Sequence, residues 1–129
     1  MIALDTNVLV RFLAEPNTAQ GALANKFIIE QLTPDNPGYV SSLVLAETIW
    51  VLEDIYEVSR EDVRIHLMHL LNASELFLEH ADAVSMALTL PHPDLADCIL
   101  HEIGQAAGCS LTATFDKRFA RLDKVELVS

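Results

Sequence analysis

Met1-Ile2-Ala3-Leu4-Asp5-Thr6-Asn7 is the stretch from which the rest of the chain is read. Its apolar run over residues 1–4 fits a short buried strand that delivers a carboxylate, Asp5, at the strand's carboxyl end. Thr6 is then placed to begin capping a helix that opens with Asn7-Val8-Leu9-Val10. In open parallel sheets, ligands bind just outside the carboxyl ends of the strands, where the strand order switches. Asp5 is therefore a candidate site residue, and the plain alternative is an acid that only makes a turn.

The totals bound what can follow. A chain of 129 residues is about one domain, able to withdraw roughly two-thirds of its unfolded surface from water. With 51% hydrophobic and 21% charged residues, and only 4 Gly and 5 Pro, it is neither a disordered tail nor a fibrous repeat. No basic leader precedes the first strand, and the apolar runs stop well short of the ~18 residues of a membrane span, so a cytoplasmic location is expected. Cys98 and Cys109 lack metal-ligand spacing and read as small, buried, reduced thiols. The net charge of −11 opposes nucleic-acid binding, which needs phosphate neutralisation. Against that, Lys117, Arg118, Arg121 and Lys124 crowd into the last 13 positions, and bound divalent cations would offset some of the acids.

Outward from the opening strand, residues 7–15 read as a helix closed by Pro16-Asn17-Thr18. Residues 18–32 put Ala19, Ala22, Leu23, Phe27, Ile28 and Leu32 on one helical face. A turn cluster at 33–38 leads to a short strand at Tyr39-Val40, and Ser41-Ser42 caps a helix over 43–53. That helix is apolar nearly all round, which implies deep packing around one ionisable residue, Glu47. Such a carboxylate loses its charge, faces a cation, or escapes along a narrow polar strip shared with Thr48.

Ser59 and Asp62 resemble a capping box ahead of a helix over 60–72. His66 and His69 have ligand spacing on that helix, but no further His or Cys completes a set, so they read as surface residues. A strand at 76–78 and a helix at 81–90 follow, then a rigid connector, Pro91-His92-Pro93. Asp94 caps a clear helix that Gly108 ends, and Asp97 sits in its first turn, where the helix dipole alone favours an acid. A strand over 109–113 runs into Thr114-Phe115-Asp116, a short helix over 117–122 and a last strand over 125–128. The order β-α-α-β-α-α-β-α-α-β-α-β, with long crossovers between short strands, implies a parallel sheet with helices on both faces.

Four acids stand out: Asp5 and Asp116 at strand ends, Glu47 in an apolar helix, Asp97 in a first turn. If the two strands neighbour at the switch point, all four converge, and such a cluster cannot stay ionised without counter-charge. Hard divalent cations with oxygen ligands, Mg²⁺ or Mn²⁺, are the usual answer and suit phosphodiester chemistry.

Together, Leu4-Asp5-Thr6-Asn7, Glu47 in its hydrophobic helix, Asp94-Leu95-Ala96-Asp97 before an Ala-rich helix ending in Gly, and Thr114-Phe115-Asp116-Lys117-Arg118-Phe119 resemble the PIN-domain nucleases. The likeness covers nearly the whole chain, and the compact length is similar to the VapC toxins of toxin–antitoxin pairs. It implies a single PIN-like three-layer α/β/α domain over residues 1–129, with a short central parallel sheet and helices on both faces. It further implies a metal-dependent endoribonuclease in which Asp5, Glu47, Asp97 and Asp116 bind one or two Mg²⁺ or Mn²⁺ ions. In that analogy Thr6, Asn7 and Thr114 orient the carboxylates, a small antitoxin reaches the site, and the protein is a homodimer. Asp94 matches ambiguously, as a metal ligand or a helix cap, and the cap is the better reading. Lys117, Arg118 and Arg121 fit either a phosphate-binding edge beside Asp116 or a solvated helix face. Arg11 is a further candidate to contact RNA or an antitoxin acid. A mean hydropathy of +0.29 in so small a chain also suggests apolar surface left for a partner.

Three rival readings are weaker. A phosphoacceptor receiver domain would carry an acidic pair after the first strand, whereas Asp5 is followed by Thr6-Asn7 and Glu47 lies inside a helix. A haloacid-dehalogenase-like phosphatase would carry Asp-x-Asp, and position 7 is Asn. A catalytically silent PIN-fold binding module would not need all four acids.

Overall fold

The computed structural model describes residues 1–129. In order, the elements are β1 (Ile2–Ala3), α1 (Thr6–Ala14), α2 (Ala19–Gln31), β2 (Gly38–Val40), α3 (Ser42–Asp54), α4 (Arg60–Asn72), β3 (Leu76–Leu78), α5 (Ala81–Ala87), α6 (Leu95–Ala106), β4 (Thr112–Thr114), a 3₁₀ turn (Phe119–Arg121) and β5 (Val125–Leu127). The expected alternation holds, every strand pairing is parallel, and the fold is α/β. Two compact units divide the chain, Met1–Glu79 and His80–Ser129.

In the first unit the sheet order is β1-β2-β3, with Ile2 opposite Gly38 and Val40 opposite Leu78. Each crossover carries two helices, as a parallel pair with a long connection requires. Gly38 is tight because a side chain there would press on Leu4, Leu32 and Leu76. Side-chain oxygens begin the helices as capping rules demand: Thr18 accepts from the Gly21 N–H, Ser41 from Val44 and Ser59 from Asp62.

Two helices face differently from their sequence pattern. On α2 the buried stripe is Gly21, Ala24 and Ile28, whereas Leu23 and Phe27 are exposed. Small residues let α2 approach the end of α1 closely, and an ideal Cβ on Gly21 would stand 1.5 Å from the Glu15 carbonyl oxygen. Nor is α3 packed all round: Leu45, Thr48, Ile49 and Leu52 are buried, while Leu43 and Trp50 are exposed together with Glu47. Thr48 therefore belongs to the core face and shares no polar strip with Glu47. On α4 only Val63, Leu67 and Leu70 are buried, one ridge at helical spacing.

In the second unit α5 packs against α6, and β4 pairs with β5, Thr112 opposite Val125 and Thr114 opposite Leu127. Pro91 and Pro93 follow the end of α5, which stops at Ala87 rather than 90. Gly108, at φ 92°, closes α6, and the Cys109 N–H reaches back to the Gly104 carbonyl at 3.0 Å. This is a Schellman cap, which occupies Cys109 and delays β4 to Thr112 instead of 109. Cys98 is buried as expected, but Cys109 is exposed. The short helix expected at 117–122 is a 3₁₀ turn because Phe119, Leu122 and Val125 are buried together at three-residue spacing.

Gly21→Ala separates packing from propensity. Intrinsic helix preference alone would stabilise that variant by about 1 kcal/mol, whereas the collision with the Glu15 carbonyl predicts a lower urea midpoint. A raised midpoint would contradict the close approach.

Candidate metal centre

Each unit carries two of the four acids. Asp5 follows β1 of the three-stranded sheet and Asp116 follows β4 of the two-stranded one. Asp5, rather than Thr6, caps α1: its Oδ1 accepts from the Val8 N–H at 3.1 Å, and Thr6 is already helical. Asp5 is exposed, as is Asn7, and Thr6 is half-buried. Arg11 pairs with Glu15 one turn on, so its charge already has a partner. Glu47 projects from the exposed face of α3 between Leu43 and Trp50, which are 70% and 58% exposed. The deep burial expected of Glu47 is absent, and its carboxylate is open to solvent.

The second unit holds a preassembled group. Asp94 caps α6, its Oδ1 accepting from the Asp97 N–H at 3.0 Å, which fixes the turn that carries Asp97. His92 Nε2 lies 3.2 Å from Asp97 Oδ2. Ligand atoms of His92, Asp97 and Asp116 all lie within 4.8 Å of one another.

Asp116 is held in place by its own loop. Its Oδ1 accepts from the Arg118 N–H at 2.8 Å and the Phe119 N–H at 3.1 Å, and its N–H donates to Thr114 Oγ1 at 3.0 Å. One carboxylate oxygen is thus committed to the turn, and the other remains available.

His92 is the residue that sequence reading missed, because Pro91-His92-Pro93 looked only like a rigid connector. Its side chain is 3% exposed. The ring stacks on Phe119 with centroids 5.0 Å apart and planes at 21°. His101 meets the same Phe119 edge-on, and its Nδ1 shares a 2.7 Å hydrogen bond with Thr112 Oγ1 of β4. The ring is therefore fixed through packed neighbours by α6 and β4. The available sequence signal was a histidine five positions before Asp97, visible only once the prolines turn the chain back onto α6.

The charges are unevenly settled. Burial pushes the Asp97 carboxyl above its ordinary range, the nearby Asp94 and Asp116 push the same way, and His92 opposes them. Asp116 is held below the usual carboxylate range by the two backbone N–H groups of Phe119 and Arg118. The exposed Lys117, Arg118 and Arg121 follow it directly, and Arg118 adds to the lowering. A half-buried acid with a raised pKa, beside an acid that stays ionised and an imidazole, is a donor set that welcomes a divalent cation.

A raised pKa means that the folded state holds the Asp97 proton more tightly than the unfolded chain does. Its ionisation therefore weakens the fold as pH rises through the interval between the two values, and the full cost is present at neutral pH. Asp97→Asn is expected to raise the melting temperature by a few degrees at pH 7 in EDTA. The gain should vanish below the ordinary carboxylate range; thermal melts showing no gain at pH 7, or a gain independent of pH, would contradict this electrostatic picture.

No curated protein sequence matches the chain. The PIN domain family matches residues 2–125, a span that runs through both units and includes all four acids and His92. On that match, the chain belongs to the PIN domain family.

Proposed function

We propose that the protein is a Mg²⁺- or Mn²⁺-dependent endoribonuclease, the toxin of a toxin–antitoxin pair, and that residues 1–129 act as one PIN-like domain. PIN domains are generally metal-dependent nucleases, and one observation carries the reading here. It is the group formed by Asp97, Asp116 and His92, whose ligand atoms lie within 4.8 Å of one another. Two carboxylates and an imidazole so close together are a donor set that would suit such an ion.

Asp97 and Asp116 would hold the ion, and the resemblance to PIN nucleases adds Asp5 and Glu47 as the acids contributed by the first unit. A divalent ion so held supplies positive charge beside the scissile phosphate and makes an attacking water more acidic. The chain's own groups do the positioning. Asp94 fixes the turn under Asp97, and the Thr114 hydroxyl fixes the backbone of Asp116. Thr6 and Asn7, at the start of α1, take the corresponding role beside Asp5. Lys117, Arg118 and Arg121 offer exposed cations for RNA phosphates next to Asp116, an edge of local positive charge on a chain of net charge −11.

The partner proposals rest on exposed surface. Leu43, Trp50 and Phe115 are large apolar side chains at least half exposed, which supports a homodimer and an antitoxin as occupants of apolar faces. Arg11, beside an open groove lined by Leu4, Val8, Leu23 and Phe27, is the cation we assign to an antitoxin acid or to RNA. No helix is long and apolar enough to cross a membrane, and we place the protein in the cytoplasm. A catalytically silent PIN module is the second reading, favoured only by the exposure of Glu47 and Asp5. The receiver-domain alternative is set aside by membership of the PIN family.

Purified protein is expected to cut RNA with Mg²⁺ or Mn²⁺ and to stop in EDTA. Asp5→Asn, Glu47→Gln, Asp97→Asn and Asp116→Asn should each reduce cleavage to background without unfolding the protein, and should relieve growth arrest on expression. Cleavage that survives Asp97→Asn, or that proceeds equally in EDTA, would refute the assignment.

A further inference from the structure

Resting on the metal centre proposed above, we infer that His92 supplies an imidazole nitrogen to the bound ion, making the centre a mixed nitrogen–oxygen site that takes Mn²⁺ ahead of Mg²⁺. Three observations point there. A ring nitrogen of His92 lies within 4.8 Å of a carboxylate oxygen of each of Asp97 and Asp116, and Nε2 is 3.2 Å from Asp97 Oδ2. Its ring is buried at 3% exposure and held by the stack on Phe119, so Nε2 is presented to the acids in a fixed orientation. The peptide around it is constrained as well: Pro91 and Pro93 flank it, and its carbonyl oxygen accepts from Cys98 Sγ at 3.6 Å.

Without an ion, a proton on Nε2 satisfies Asp97. When an ion binds, that proton moves to Nδ1 and the Nε2 lone pair is freed for the metal, with no net gain or loss of protons. Imidazole nitrogen suits borderline transition ions, whereas Mg²⁺ is hard, holds its waters and prefers oxygen donors. Two carboxylates alone would serve either ion, so the histidine sets the preference. A merely structural His92 would brace Asp97 by hydrogen bonding and leave no nitrogen on the ion.

The test is Mn²⁺ titrated into the full chain and followed by electron paramagnetic resonance, with pulsed measurement of nitrogen coupling to the bound ion. Wild type is expected to bind Mn²⁺ with an imidazole ¹⁴N coupling. His92→Gln, checked for folding by circular dichroism, should lose that coupling and bind Mn²⁺ roughly tenfold more weakly or worse, while its affinity for competing Mg²⁺ stays the same. Bound Mn²⁺ without nitrogen coupling in wild type, or coupling that persists in His92→Gln, overturns the role of His92 and leaves the carboxylate centre standing. Failure of wild type to bind Mn²⁺ at all overturns both.

Discussion

Two carboxylates and an imidazole gathered within 4.8 Å form the constraint on which the second unit depends. Left alone, the arrangement is costly for Asp97, which burial and two neighbouring acids drive toward its neutral form. The surrounding structure keeps it assembled nonetheless. Asp94 ties the first turn of α6, two backbone N–H groups and the Thr114 hydroxyl tie Asp116, and Phe119 pins the His92 ring. A carboxyl whose pKa is raised, kept in place by tight bonding around it, points to a functional site rather than to a stability device.

The 3₁₀ turn links that group to the core. Phe119 is the residue whose N–H reaches Asp116, whose ring carries His92, and whose burial with Leu122 and Val125 anchors β5. One side chain therefore couples folding of the carboxyl-terminal segment to the geometry of two donors. His101 and Thr112 extend the same packed path from α6 to β4. In the first unit the organisation differs: Asp5 lies at the exposed start of α1, and Glu47 on the exposed face of α3 beside the uncovered Leu43 and Trp50.

Most element boundaries were legible because their signals are local. Ser41, Ser59, Thr18 and Asp94 cap the helices their positions suggest, and Gly108 ends α6 at a positive φ. What misled was hydrophobicity taken as burial. Leu23, Phe27, Leu43 and Trp50 are apolar but exposed, since Gly21 and Ala24 pack closely where larger residues do not, and α3 buries only one face. Asp97 and Asp116 were readable as candidates from their places in a first turn and after a strand. Their association with His92 was not, because it depends on two prolines folding a short loop back across a helix start and on a ring stack 27 positions away in sequence.

A nuclease site in the second unit requires that this group hold an ion. Anomalous diffraction from crystals grown with MnCl₂ measures that directly. The predicted result is an ordered peak at bonding distance, about 2.0–2.3 Å, from carboxylate oxygens of both Asp97 and Asp116. Peaks found only elsewhere on the molecule, with the two carboxylates facing solvent, would contradict it.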